Sequence, residues 1–198
     1  MNKQEIENIK QKALEEHIPI IMDDTLDVIA KYLKEIEPKR ILEIGTAVGY
    51  SAICFSEFLE HNGRIDTIER DNERVNEAKE NIKKAGRENV IKLLEGDAME
   101  IMPTLERDQF DFVFMDAAKA QYIHFLPEVL RLMKKDGVLI TDNVLQEGDL
   151  IQSKYVVRRR DRTIHKRMRE YLEVVKNHPQ LETSIVPIGD GITMSVKK

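Results

Sequence analysis

Five short runs of apolar residues mark the middle of the chain: Arg40–Gly45, Arg64–Glu69, Val90–Leu94, Phe110–Met115 and Val138–Thr141. Most are apolar at successive positions, the pattern of strands covered on both faces rather than strands with one face in water. The intervening stretches carry apolar residues at helical spacing instead. They are Tyr50–Glu60 with Ile53, Phe55, Phe58 and Leu59, the charged stretch with Val75, Ala78 and Ile82, then Ala98–Leu105 and Gln121–Lys135. Two helices are predicted ahead of the first strand, over 3–16 and 23–37, the second ended by Pro38. Strands that alternate with helices close through right-handed crossovers into a parallel sheet with helices on both faces.

Towards the C-terminus the pattern changes. A helix over Arg162–Lys176, with Ile164, Met168, Leu172 and Val175 predicted to face the sheet, leads to strands at Thr183–Pro187 and Ile192–Val196. The short turn Gly189-Asp190-Gly191 between them forces an antiparallel pair. The predicted fold is a doubly wound α/β sandwich with a seven-stranded, mostly parallel sheet and a C-terminal antiparallel hairpin. No repeat, linker or low-complexity stretch divides residues 1–198, so a single domain is expected. With 41% apolar and 34% charged residues the composition is that of a soluble globular protein. There is no apolar run of about 20 residues and no signal-peptide core, which predicts a cytoplasmic protein without a membrane partner. Cys54, the only cysteine, can form no internal disulfide.

Candidate chemistry begins at Ile41–Ser51. A strand there ends in Glu43, followed by a glycine turn and a helix start. A dinucleotide turn requires glycines at its first, third and sixth places, to admit a pyrophosphate. Counted from Gly45, those places hold Gly45, Ala47 and Tyr50, which argues against a dinucleotide-dependent oxidoreductase. A carboxylate at Glu43 would repel phosphates and suits a cationic, amine-bearing nucleoside such as S-adenosylmethionine. An ordinary strand-turn-helix joint is the alternative.

In an open α/β sheet ligands bind at the carboxyl ends of the strands, and each of these strands ends at or beside a carboxylate. Glu69 stands where a ribose-binding acid belongs, and Asp97, with the Ala98 backbone beside it, could accept from an adenine amino group. Asp116, Asp142 and Asn143 form a second group, supplying hard oxygen donors that suit Mg²⁺ better than zinc. Capping by Asp116 and turn formation by Asp142-Asn143 are the structural alternatives.

Three segments, Glu43–Ser51, Met115–Tyr122 and Thr141–Leu145, resemble those of the metal-dependent catechol and caffeoyl-CoA type O-methyltransferases, and the likeness extends over essentially the whole chain. The resemblance implies S-adenosylmethionine bound by Glu43, Gly45, Ser51, Glu69, Asp97, Ala98 and Asp116, with Met22 nearby. It implies Mg²⁺ on Asp116, Asp142 and Asn143, Lys119 as general base, and a homodimer. The chemistry agrees with it. Methyl transfer from a sulfonium requires an acceptor hydroxyl that is aligned and deprotonated, which a chelating cation and a nearby lysine provide.

Charge distribution bears on the acceptor. Residues 154–169 hold eight basic residues against Asp161, a local charge of +7 that leaves -12 elsewhere in a chain of net charge -5. Arg158, Arg159, Arg160, Arg162, Lys166 and Arg169 are the candidate RNA-binding residues, although a charge run is commonly a solvated face. The catechol-binding glutamate of the catechol enzymes falls near Ser184, with Glu182 close by. Residues 162–172, with the Asp-Asn-Val-Leu run and the Gly-Asp-Gly turn, resemble bacterial tRNA 5-hydroxyuridine methyltransferases. This implies the tRNA anticodon loop as substrate. A 5-hydroxyl beside a 4-carbonyl could chelate Mg²⁺ as a catechol does, and a loop base needs no extrusion from a duplex. A small-molecule catechol or phenylpropanoid methyltransferase and a non-catalytic RNA-binding protein are the competing expectations.

Overall fold

A computed structural model describes residues 3–145 and 162–198. Two compact units divide the chain near Thr104. In the first, helices α1 (Lys3–Glu15) and α2 (Asp23–Ile36) precede strand β1 (Arg40–Ile44), helix α3 (Tyr50–Phe55), β2 (Arg64–Glu69), α4 (Asn72–Lys84), β3 (Ile91–Glu95) and α5 (Ala98–Ile101). β1 and β2 pair in parallel, as do β2 and β3. α2 ends where Glu37 turns left-handed at φ 40°, immediately before Pro38. The helix expected over 98–105 is shorter: it tightens into a 3₁₀ turn at Met102–Thr104, around Pro103, whose ring nitrogen has no proton to donate.

The second unit holds β4 (Phe110–Met115), α6 (Tyr122–Leu132), β5 (Met133–Thr141), α7 (Arg162–Asn177), β6 (Leu181–Val186) and β7 (Ile192–Lys197). β4 and β5 are parallel, and β7 lies antiparallel between β5 and β6. The strand order is β3-β2-β1-β4-β5-β7-β6, a seven-stranded mixed sheet. β4 is buried along nearly its whole length and β5 from Gly137 onward, which is why both read as near-continuous apolar runs. β6, at the edge, alternates irregularly and leaves Ile185 exposed. Among the described residues no helix is long and apolar enough to cross a membrane.

Two expectations are corrected here. The helix predicted to run to Lys135 stops at Leu132, because Met133 is fully buried opposite Phe110 and already belongs to β5. The register then shifts between Phe110 and Phe112, with Asp136 at φ 62°, before regular pairing resumes at Val138. On α7 Met168 and Val175 face inward as predicted, but His165 and Tyr171 complete the buried face in place of Ile164, which is exposed, and Leu172, which is half-buried. Tyr171 can be buried because its hydroxyl pairs with Thr141 Oγ1 at 2.5 Å.

Candidate active site

The glycine turn is built from backbone conformations that few residues adopt. Gly45 has φ 101°, Ala47 φ 46° and Gly49 φ 82°, and Gly49 leads into α3. Gly45 and Thr46 both donate to Ile68 O, at 3.0 and 3.2 Å, which binds the turn to the end of β2. Asn81 on α4 donates to Val48 O at 2.9 Å.

Glu43 lies beneath this turn and is fully buried. One carboxylate oxygen accepts from Ser51 Oγ and the other from Thr67 Oγ1, each at 2.5 Å. Thr67 also stands 2.6 Å from Thr46 Oγ1. A hydroxyl has a single proton and Thr67 gives its own to Glu43, so Thr46 is the donor in that second contact. Glu69 is the other anchor. Its Oε2 accepts from Ala47 N at 2.9 Å, while Oε1 accepts from Arg70 N and Asp71 N at 2.8 and 2.9 Å. Asp97 caps α5 by accepting from Met99 N at 2.9 Å and faces Arg70 at 3.4 Å, and Ala98 is buried behind it. Met22 is half-exposed at the start of α2. Ser51, Glu43, Gly45 and Glu69 thus belong to one bonded loop system, whereas Met22 lies at the N-terminus of α2.

In the second unit Asp116 follows β4 and Asp142-Asn143 follow β5. Asp142 N donates to Met115 O at 3.1 Å, which sets the two strand ends side by side. Asn143, at φ 59°, donates its side-chain nitrogen to Asp116 Oδ1 at 3.2 Å, and its own N–H donates to Asp142 Oδ1 at 2.7 Å. That orientation commits the amide nitrogen inward and leaves Asn143 Oδ1 as an acceptor. Asp116 caps no helix: Ala118 and Gln121 precede the two following turns. Lys119 opens the short 3₁₀ turn Lys119–Gln121 and is half-buried.

Electrostatics mark this second group. Burial raises the Asp116 carboxyl, opposed by the Lys119 charge and the Asn143 hydrogen bond. Asp142, 3% exposed, is pushed up to about 7 by burial first and then by Asp116 and Asp190, while the Asn143 N–H and Lys119 act the other way. Such a pair gains from a divalent cation, which replaces the missing solvation of both carboxylates. Among the described residues no three Asp, Glu, His or Cys side chains cluster closely enough to hold a metal by themselves. Turned about its Cβ–Cγ bond, the Asn143 amide would present its oxygen on the Asp116 side, and two carboxylates with that oxygen would be hard donors of the kind that suits Mg²⁺.

The C-terminal turn braces this segment. Val144 N donates to Gly191 O at 2.9 Å and Leu145 N to Asp190 O at 2.8 Å. Gly191 has φ 79°, and a Cβ there would lie 2.3 Å from Leu145 Cγ. Gly191→Ala should cost about 2–4 kcal/mol through strain and overpacking, and should lower activity by moving residues 142–145. Urea unfolding checks this, and an unchanged midpoint would remove the bracing role.

Several contributors carry no sequence signal of their own. Thr67 reads as an ordinary strand residue, and its role depends on the register that sets Glu43 opposite it. Tyr122, fully buried, has its hydroxyl 3.4 Å from Asp142 O. Of the basic candidates, Lys166 is exposed and pairs loosely with Glu170 at 3.7 Å, and Arg169 is exposed. Arg158, Arg159, Arg160 and the side chain of Arg162 lie outside the described residues.

The chain belongs to the O-methyltransferase family, whose model matches residues 4–198. Among curated proteins, the tapetum-specific methyltransferase 1 of Arabidopsis thaliana is 33% identical over 176 residues, 87% of this chain and 75% of that protein. A catechol O-methyltransferase of Mycobacterium tuberculosis is 29% identical over 81% of this chain and 73% of its own length. Among solved structures, a Staphylococcus aureus protein of the caffeoyl-CoA O-methyltransferase type superposes with TM-score 0.91 at 34% identity, covering 98% of this chain and 92% of that one. The SAH-bound Podospora anserina methyltransferase PaMTH1 gives 0.82 at 25% identity, covering 98% and 86%. The protein is thus an S-adenosylmethionine-dependent O-methyltransferase.

Proposed function

We propose that the protein methylates one of two adjacent oxygens on an aromatic acceptor, using a divalent cation of the Mg²⁺ type held by Asp116, Asp142 and Asn143. The observation that carries this reading is the Asp116–Asn143–Asp142 arrangement, two carboxyls side by side that burial raises in spite of the nearby Lys119 charge. A bound cation supplies that charge, lowers the pKa of a chelated hydroxyl and fixes its direction. Lys119, on the turn after Asp116, is the group that takes the hydroxyl proton. Glu69 holds the donor's ribose, Asp97 and Ala98 its adenine end, while Glu43 acts through Ser51 and the turn it underpins. The reading requires the sulfonium methyl to lie in line with the chelated oxygen.

Catechol and caffeoyl-CoA are the acceptors named for curated relatives, and small phenols of that kind lead here. A tRNA wobble 5-hydroxyuridine is the second reading, favoured by exposed Lys166 and Arg169 within the basic run. Labelled S-adenosylmethionine is incubated with catechol, caffeoyl-CoA or unmethylated tRNA bearing 5-hydroxyuridine, each with Mg²⁺ and with EDTA. Cation-dependent label on the small phenols is expected, reduced about 10²–10⁴-fold by Lys119→Met. Label on tRNA alone selects the second reading, and label on none of them sinks both. The homodimer belongs to the same proposal and is read from light scattering.

A further inference from the structure

We propose that Arg167 is a positioning residue that sets the Lys119 turn, so that α7 holds both arms of the acceptor site in register. The inference rests on Lys119 being the base of the reaction proposed above. Arg167 is one of the eight basic residues of the 154–169 run, yet it is half-buried. Its Nη1 donates at 3.0 Å to the carbonyl of Ala120, the residue after Lys119. The neighbouring Lys166, by contrast, is 78% exposed.

Four residues further along α7, and hence on the same helix face, Tyr171 pairs with Thr141 Oγ1 at 2.5 Å, immediately before Asp142. The Tyr171 ring meets Tyr122 edge-on at a centroid distance of 5.6 Å, and the Tyr122 hydroxyl is 3.4 Å from Asp142 O. One face of α7 therefore contacts the segment carrying the base and the strand end carrying the metal donors. The Lys119–Gln121 turn leads directly into α6 at Tyr122. It is a single 3₁₀ turn closed by Gln121 N to Ala118 O at 2.7 Å, and no side chain caps it. A guanidinium bond to its middle carbonyl removes the freedom to tilt and so sets where the Lys119 amine stands. Arg167 touches neither substrate nor cation in this assignment.

The test compares wild type, Arg167→Met, Arg167→Lys, Lys119→Met and the double variant Lys119→Met/Arg167→Met, with the acceptor that turns over in the assay above. Methionine keeps the aliphatic stem and removes the donor, and Arg167→Gln replaces it should that variant melt below the assay temperature. Arg167→Met is expected to lower kcat about tenfold, the worth of one charged hydrogen bond. KM for both substrates and the Kd for SAH should stay within about twofold, and Arg167→Lys should regain most of the rate. In the Lys119→Met background the same change should alter the rate by less than about twofold. Equal loss in both backgrounds overturns the proposal, as does a raised acceptor KM with unchanged kcat, which would make Arg167 a substrate-binding residue. Lys119→Met as active as wild type overturns the base and Arg167's role together. Lys119→Met impaired with Arg167→Met intact overturns Arg167 alone.

Discussion

Asp142→Asn should abolish methyl transfer while making the metal-free protein harder to unfold at pH 8. The substitution is isosteric, and the Asn143 N–H keeps an oxygen to donate to. What disappears is a carboxylate 3% exposed whose pKa is pushed up to about 7. An unfolded aspartate titrates near its ordinary value of 3.8. Because the folded value is the higher one, this group's contribution to stability is fully present below about pH 4 and is lost as pH rises through about 7. Wild type without metal should therefore lose stability across that window, on the order of 4 kcal/mol from Asp142. The asparagine variant should lack that part of the decline. Mg²⁺ should restore wild type at pH 8 and leave the variant unchanged. Activity should fall about 10³-fold. Urea unfolding in EDTA and in Mg²⁺ at pH 5 and 8, beside the labelled-methyl assay, measures all of this. A variant keeping more than about a tenth of the activity would take Asp142 out of the site.

Glu69→Gln should weaken SAH binding about 10²-fold, although it removes a single charge and almost no volume. Both oxygens of Glu69 face backbone N–H groups: Ala47 on one side, Arg70 and Asp71 on the other. A glutamine amide, in either orientation, sets its NH₂ against one of those donors. The ribose then loses its acceptor, and Ala47, held at φ 46°, can lose the bond that keeps it there. Glu95→Gln is the control. Glu95 is in register with Glu69 on the neighbouring strand but pairs with Lys79 at 2.7 Å on the exposed edge. Calorimetric titration with SAH should give that control the wild-type Kd to within about twofold. Asp142→Asn should also bind SAH normally. A Glu69→Gln protein that binds like wild type would mean the ribose is held elsewhere.

The strands and the carboxylates at their ends were legible because both depend on local pattern. A strand covered on both faces has to be apolar throughout, and a ligand-binding residue has to stand where the strand stops. Less legible was anything that depends on register. Glu43 and Thr67 are 24 positions apart and meet only because β1 and β2 pair Glu43 with Thr67. Hydrophobicity ranks Ile164 and Leu172 above His165 and Tyr171, so the predicted face of α7 came out rotated. Burial of Tyr171 is favourable because its hydroxyl finds partners inside, Thr141 among them. Arg167 was not among the candidate site residues, because nothing in a basic run marks the one member that reaches a backbone carbonyl.

β7 lies between β5 and β6, and its preceding turn holds Val144 and Leu145. This has a consequence for synthesis. A nascent chain that has emerged through α7 already carries every candidate ligand, yet β5 has no partner on its far side and Val144 and Leu145 lack the turn that holds them. The glycine turn and its glutamates are complete far earlier, within the first hundred or so residues. On the ribosome, the capacity to bind the methyl donor should therefore precede the capacity to use it, and the final strand acts as the step that arms the enzyme.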